Sequence, residues 1–549
     1  MNTISTGPPS SPAEGAPRPG LFLRQASGLV RQVSLTNAYF FNLAAFIGPQ
    51  ITWIPVLWTL SFAPFWTSFF SAYAWAGILT GIFCILYAVI FAALATIMPR
   101  SGGDYVFTSR IISPAVGFVE AAMLVIALIA LISVNIPLLL TQISLFGSVV
   151  NLGTGALTNS TGWFSTNWVG FLVASLFVVG AAAIALAPVR SFHRIVTVLG
   201  LLALGTVVLM FVSSFFISHA SFLANLKGAT GQDEGAILKA GSGALGSFAF
   251  SAFMAFIGVT LLNFIGFQGS AYIAGEVRGN VTRAVLIAVL AALATIVVIS
   301  SIYGDVIARP FGNNLVAAWG SLFWSQSQQL PGGQPPVAPY LAAIAAPGAW
   351  PLWALLIVGG ALLNFMIVPV YFVLISRMLL AWGMDRLVPA WFSEVNERTH
   401  APMNAIIAAI VVAEVSLVAI YFLNYNLGFQ IWASIVLLSL TFLMPGLNAL
   451  LLRWRRPELA RLAPFSRQLP WMGAAWAAFV LVVYWFIAVQ PIFSALTAAQ
   501  NPFAYIHQTG LDVATAVIVL AIVAFFVMRA HNRRQGIDTR MLFREIPPA

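Results

Sequence analysis

Long apolar runs alternate with short polar stretches rich in arginine, glycine and proline along nearly the whole chain. A window of ~20 apolar residues, the length of helix that crosses a bilayer, picks out the spanning segments. It finds twelve, near 35–60, 72–98, 115–149, 167–188, 194–217, 247–276, 284–308, 349–382, 403–424, 427–452, 471–492 and 510–529. The third and eighth exceed the minimum length, which leaves room for tilt or for extension past the hydrocarbon. Residues 1–34 hold Pro, Ser, Gly and scattered charges without a continuous apolar core. They read as a disordered cytosolic tail rather than a cleaved leader, and 530–549 as a second tail.

Two runs are interrupted where lipid offers no hydrogen-bond partners. In 247–276 the sequence Gly266-Phe267-Gln268-Gly269-Ser270 falls at mid-depth, and in 35–60 the sequence Gly48-Pro49-Gln50 does the same. Backbone freed there must be buried in protein or line a wet cavity. Opened helix ends present bare N–H and C=O groups, which makes such breaks candidate ligand sites. A kink or a tight helix crossing is the plainer alternative for glycine in a membrane helix. The breaks match in position when segments 1–5 (35–217) and 6–10 (247–452) are taken as two repeats, with 471–529 as two peripheral helices. Each break then lies in the first helix of its half, the pattern of an inverted-repeat transporter site.

Composition agrees: 60% hydrophobic residues, 7% charged and a mean hydropathy of +0.94 exclude a soluble domain. The net charge of +10 does not point to nucleic acid, because the basic residues are dispersed between apolar runs rather than gathered on one face. Their distribution fixes orientation instead. With the N-terminus inside, 22 of the 25 basic residues lie on the cytoplasmic side, and only Lys227, Lys239 and Arg309 lie outside. The positive-inside rule therefore favours twelve spans with both termini cytoplasmic in a multi-pass plasma-membrane protein. A single cysteine, Cys84, excludes an intrachain disulfide. There is no nucleotide-binding loop, zinc-protease motif or nucleophile elbow, so no enzyme, cofactor or metal is expected.

Three stretches in register resemble the amino acid–polyamine–organocation (APC) superfamily of permeases. PRSGGDYVFTSRIISPAVGF is similar to that family's loop before span three. NFIGFQGSAYIAGEVRGNVTRAV is similar to its broken sixth helix. SRMLLAWGMDRLVPAWFSEVNERTHAPMNA is similar to the link between spans eight and nine. The likeness covers roughly residues 30–460. It implies an all-α membrane fold of the leucine-transporter type, with a 5+5 inverted repeat, broken helices 1 and 6, and two peripheral helices. The implied activity is secondary transport of an amino acid by alternating access.

Carried onto this chain, the resemblance assigns substrate binding to Ile47, Gly48, Gln50 and Ile51 on the first helix. On the sixth it assigns Leu262, Asn263, Ile265, Gly266, Phe267 and Gln268. Pro49 cannot donate an N–H, so the first helix must offer its neighbours' amides or the Gln50 side chain. Gln268 stands where relatives carry a carboxylate; it can hydrogen-bond but not titrate. The fifth helix also lacks the lysine of some proton-coupled relatives, with Ala203 at the matching place. Sodium, proton and uncoupled exchange all stay open, as does the oligomeric state. Neither break carries a carboxylate, which favours a neutral, apolar or aromatic amino acid over a dication. A polyamine or organic-cation permease is the alternative within transport, and a non-transporting amino acid sensor the alternative outside it.

Ionisable residues at membrane depth are suspects for function. Glu120 in the third segment is expected to pair with an arginine of the cytoplasmic side. Glu414 in the ninth stands as either a coupling residue or a structural partner. Asp305 is expected at the outer interface near Arg309. Glu276 and Asp385 are gating candidates, Glu276 beside Arg278 and Arg283, and Asp385 facing a basic loop residue.

Overall fold

The computed structural model describes residues 29–45, 70–155, 167–242, 250–264, 266–324, 330–423, 427–490, 504–536 and 543. Among them, every regular element is helical apart from two isolated β-bridges, Val33 with Val277 and Ser101 with Ile273. Ten helices are long and apolar enough to cross a membrane, and they answer to ten of the twelve segments. The first segment is described only as the helix 35–45 (α1), so Ile47, Gly48, Gln50 and Ile51 lie outside the described residues. The sixth is divided into α9 (Phe250–Asn263) and α10 (Gly269–Tyr272), each too short to span alone.

The first half continues with α2 (Ala72–Ile97), α3 (Asp104–Ile111), α4 (Pro114–Thr154), α5 (Asn167–Ala185), α6 (Val189–Ser214), α7 (His219–Thr230) and α8 (Glu234–Ala240). Local chemistry sets their ends. The Ser71 hydroxyl accepts from the Ala74 N–H at 3.1 Å and starts α2. Ser113 accepts from Val116 at 3.2 Å, with Pro114 at the first helical position where its missing N–H costs nothing. The α4 helix runs 41 residues, about 60 Å at 1.5 Å per residue, and stops at Gly155 in a left-handed conformation.

After α10 come α11 (Val281–Val298), α12 (Gly304–Ala308), α13 (Asn313–Trp324), α14 (Ala338–Ala345) and α15 (Trp350–Met384). They are followed by α16 (Met403–Phe422), α17 (Leu427–Arg455), α18 (Pro457–Ala460), α19 (Leu469–Tyr484) and α20 (Ala504–Arg534). The two longest helices, α4 and α15, pack along one another at the centre, with α17 against α4 and α19. The α15 helix buries residues on all sides, from Leu363 to Gly383 almost without interruption, as a helix enclosed by others must. The outer helices α6, α16 and α20 instead expose Leu201, Val208, Val415, Leu520 and Phe526, an apolar surface suited to lipid.

The stretches between segments five and six and between seven and eight are not plain loops. They form α7, α8, α13 and α14, a layer at one end of the bundle. Phe222 meets Phe311 edge-on at 5.1 Å, the Trp319 indole donates to the Gln334 carbonyl at 2.9 Å, and Asn225 donates to the Ile344 carbonyl at 3.0 Å. The opposite end carries α3 and the arginines Arg110, Arg377, Arg386 and Arg456.

Candidate substrate site and its closed end

The helical hydrogen-bond ladder of α9 fails where Gly266 adopts φ +95°, a conformation that side chains with a Cβ rarely take. Space demands glycine there as well. A Cβ on Gly266 would come within 2.3 Å of the Ala45 Cβ, so the break lies directly against the last described turn of α1. Gln268 folds back, its side-chain oxygen accepting from the Gly266 N–H at 3.2 Å. A carboxamide here acts as an internal cap for the opened backbone, which accounts for glutamine serving where a carboxylate is not needed.

Two further contacts hold the break to its neighbours. Ser270 donates its N–H to Asn42 Oδ1 at 2.6 Å, and Asn42 Nδ2 donates to the Ser270 hydroxyl at 3.1 Å. The Tyr371 hydroxyl of α15 donates to the Ala45 carbonyl at 3.1 Å, taking up an acceptor that α1 leaves unfilled. Three helices that are far apart in sequence thus meet at one point. Asn263 carries a buried Nδ2 with no partner, a spare donor beside the break. Phe267 is turned away, 1% exposed and packed on the Tyr87 ring at 5.5 Å. Nothing is described of Ile265 or of the Leu262 side chain.

Between the break and the arginine-rich end, buried ion pairs tie the described segments together. The carboxylate of Glu276, 1% exposed, takes both Nε and Nη2 of Arg377 at 2.9 and 3.1 Å. Its partner is therefore on α15 rather than the adjacent Arg278 or Arg283; Arg278 donates instead to the Arg31 carbonyl at 3.1 Å. The Glu276 carbonyl accepts from Gln32 and Val33 at 2.9 and 3.0 Å, and Arg278 N–H returns to Val33 at 3.0 Å. The segment leading into α1 is thereby clipped to the end of the sixth segment.

Asp385, fully buried, makes the second bidentate pair, with Arg110 Nη1 and Nη2 at 2.7 and 2.8 Å, and accepts from the Tyr105 hydroxyl at 2.6 Å. Arg456 Nε caps the Arg110 carbonyl at 2.8 Å. Buried pairs with this geometry offset their desolvation, and removing one partner leaves the other charge stranded at roughly 3–5 kcal/mol.

The two glycines of the Ser-Gly-Gly-Asp turn acquire a reason here. A Cβ on Gly103 would sit 2.3 Å from the Tyr272 ring, and one on Gly102 would sit 2.9 Å from the Ala381 Cβ. Both glycines also hold positive φ. The turn is therefore pressed between α10 and α15, and this lets the Asp104 carboxylate accept from the Tyr272 hydroxyl. Burial holds the Asp104 carboxyl above its ordinary range, to about 7, and the Tyr272 hydrogen bond pulls it partly back.

The other sequence candidates lie elsewhere. Glu414 accepts from the Ser175 hydroxyl at 2.6 Å and ties α16 to α5 at the rim of the bundle. Asp305 is held by the Ser71 N–H at 2.8 Å and by its hydroxyl, rather than by interfacial water or Arg309 alone. The arginine expected for Glu120 is absent among the described residues: both its oxygens are buried without a hydrogen-bond partner. Sequence reasoning named Ser270 only as part of the break and did not single out Asn42, Tyr272, Arg377 or Tyr371. Only the polar residues inside otherwise apolar runs, Asn42 and Ser270, carried a signal.

A helical membrane bundle with a glycine-broken sixth segment clasped to the first defines a permease-like architecture. The sequence model of the amino acid permease family matches residues 40–527, and the chain belongs to that family, within the APC superfamily. Its members are transporters and not enzymes. No curated protein matches the chain.

Proposed function

We propose that this protein is a secondary transporter of a neutral, apolar amino acid, working across the plasma membrane by alternating access. In this reading it has twelve spans in two inverted five-helix repeats, the first and sixth broken, and both termini in the cytoplasm. The arginine-rich end is then the cytoplasmic side, and the conformation described is closed there. The observation that carries the reading is the Gly266–Gln268 break, clasped to α1 through Asn42 and Ser270. Two buried bidentate pairs, Glu276–Arg377 and Asp385–Arg110, seal the passage below it.

Zwitterion binding follows from the chemistry of opened helices. Bare N–H groups favour a carboxylate and bare carbonyls an ammonium, with no charged side chain needed. Ile47, Gly48, Gln50 and Ile51 would supply the first-helix side, and Leu262, Asn263, Ile265, Gly266, Gln268 and, through its backbone alone, Phe267 the sixth-helix side. Release requires the Glu276–Arg377 and Asp385–Arg110 pairs to part, so these residues are the gate. Uptake of a panel of labelled amino acids into proteoliposomes tests the proposal, with and without sodium and pH gradients and with putrescine and arginine as competitors. Flux of apolar amino acids supports it. Putrescine or arginine as the preferred cargo replaces the substrate class, and absence of flux for every amino acid and amine overturns the reading.

A further inference from the structure

Beneath the Asp104–Tyr272 contact lies a group of buried oxygens that the gate does not use. Asp104 and Thr108 stand one turn apart on α3. Glu120, near the start of α4 and 1% exposed, lies within electrostatic reach of Asp104 and beside the Thr108 hydroxyl. Asn448 of α17, fully buried, donates from Nδ2 to that hydroxyl at 2.8 Å. Four acceptor oxygens in this group, Asp104 Oδ1, both oxygens of Glu120 and Asn448 Oδ1, have no close hydrogen-bond partner, and the Thr108 hydroxyl beside Glu120 can serve at most one of them.

The charge balance of the group is one-sided. The titratable groups facing the carboxyls are Tyr272 of α10, which donates to Asp104, and Tyr87 of α2, which lies within reach of both. The guanidinium on the same helix, Arg110, is engaged by Asp385 and Tyr105. Turning the Asn448 amide over would supply one N–H but no charge. Two ionised carboxylates left this way would repel each other in a medium that hydrates neither. A proton removes the charge, and its O–H provides the donor that the orphaned oxygens lack.

We propose that Asp104 and Glu120 form a proton-binding site in which one of the two carboxyls stays protonated while the arginine-rich end is closed. Moving α10 away from α3 would take the Tyr272 donor from Asp104, admit water and let the proton leave on that side. The site touches the broken sixth segment only through Tyr272 of α10, does not use Gln268, which cannot titrate, and stands whether or not the substrate is an amino acid. Burial raising the Asp104 carboxyl points the same way.

Infrared difference spectroscopy of the purified full-length protein in lipid nanodiscs tests this without any transport assay. Between about pH 5 and about pH 9 the protein should lose a carboxylic-acid carbonyl band at a midpoint well above the ordinary carboxylate value of about 4. The band should vanish in Glu120→Gln or Asp104→Asn. In Tyr272→Phe, which keeps the ring in place, the midpoint should rise by roughly one pH unit, because the hydrogen bond to the ionised form is gone. No such band in the wild-type protein overturns the proposal, as does a band that survives in both carboxyl variants. Discharge of the band by sodium at constant pH also overturns it and makes the group a cation site. If the carboxyl variants do not fold, an unmoved midpoint in Tyr272→Phe decides against the assignment.

Discussion

Asn42 and Ser270, 228 residues apart, satisfy one another by two hydrogen bonds in a site with no access to water. The contact joins α1 to the helix after the sixth-segment break. Asn42→Ala strands the Ser270 N–H and hydroxyl, at a cost of about 1–3 kcal/mol for a buried unsatisfied group. The expected result is a lower melting temperature in detergent and weaker substrate affinity. A variant with wild-type stability and affinity would show the contact to be dispensable.

The Glu276–Arg377 pair should hold the arginine-rich end shut. Glu276→Gln leaves the Arg377 guanidinium buried without a counter-charge, which disfavours the closed form by roughly 3–5 kcal/mol. A reporter cysteine at Ser101→Cys, in a Cys84→Ser background, should then react with an impermeant thiol reagent roughly a hundredfold to a few thousandfold faster, at 1.4 kcal/mol per tenfold. Arg377→Lys should open the gate in the same direction, because an ammonium cannot reproduce the two parallel bonds. Unchanged reactivity in both variants would remove the pair from the gate.

Gly266 is constrained twice, by its positive φ and by Ala45. Gly266→Ala should cost about 1–3 kcal/mol through the backbone and a similar amount through overpacking. Gly205, within α6, has nothing within 4 Å of where a Cβ would stand. Gly205→Ala should therefore stabilise the helix by roughly 0.5–1 kcal/mol. Thermal melts of the two variants, run side by side, check the contrast in sign.

Asp104 gives a pH dependence whose sign can be worked out. Its carboxyl is raised by burial to about 7 in the folded protein, against about 4 when unfolded. The folded state thus binds this proton more tightly. Its contribution is complete below about pH 4 and is lost as the pH rises through about 7. Melting temperatures of wild type minus Asp104→Asn should decline across that window. A flat difference would mean that Asp104 does not titrate there.

Glu414 should matter to the wall of the bundle and not to transport. Glu414→Gln keeps an oxygen for the Ser175 hydroxyl, so flux should be unchanged. Loss of flux with an intact fold would return Glu414 to the coupling machinery.

How much of this was legible in the chain differs between its parts. Ten of the spanning helices were readable because a bilayer imposes one length and one polarity on every crossing, as α2 and α19 show within a few residues. The sixth-helix break was readable because Gly266 and Gly269 interrupt an apolar run. The first-helix break falls outside the described residues. The layer of α7, α8, α13 and α14 was not readable, since short helices outside the membrane carry no such length rule.

Sequence by itself determined that this is a helical membrane protein with an opened sixth segment and an arginine-rich side, because burial in lipid constrains each run locally. Only the tertiary structure decided the partners: Glu276 with Arg377, Asp385 with Arg110, Asn42 with Ser270, and Glu120 with no cation at all. Those pairings join residues 101, 275 and 228 positions apart. A charge's sign and its place in the chain do not say which opposite charge the packing of α3 and of the end of the sixth segment against α15 will bring within about 3 Å.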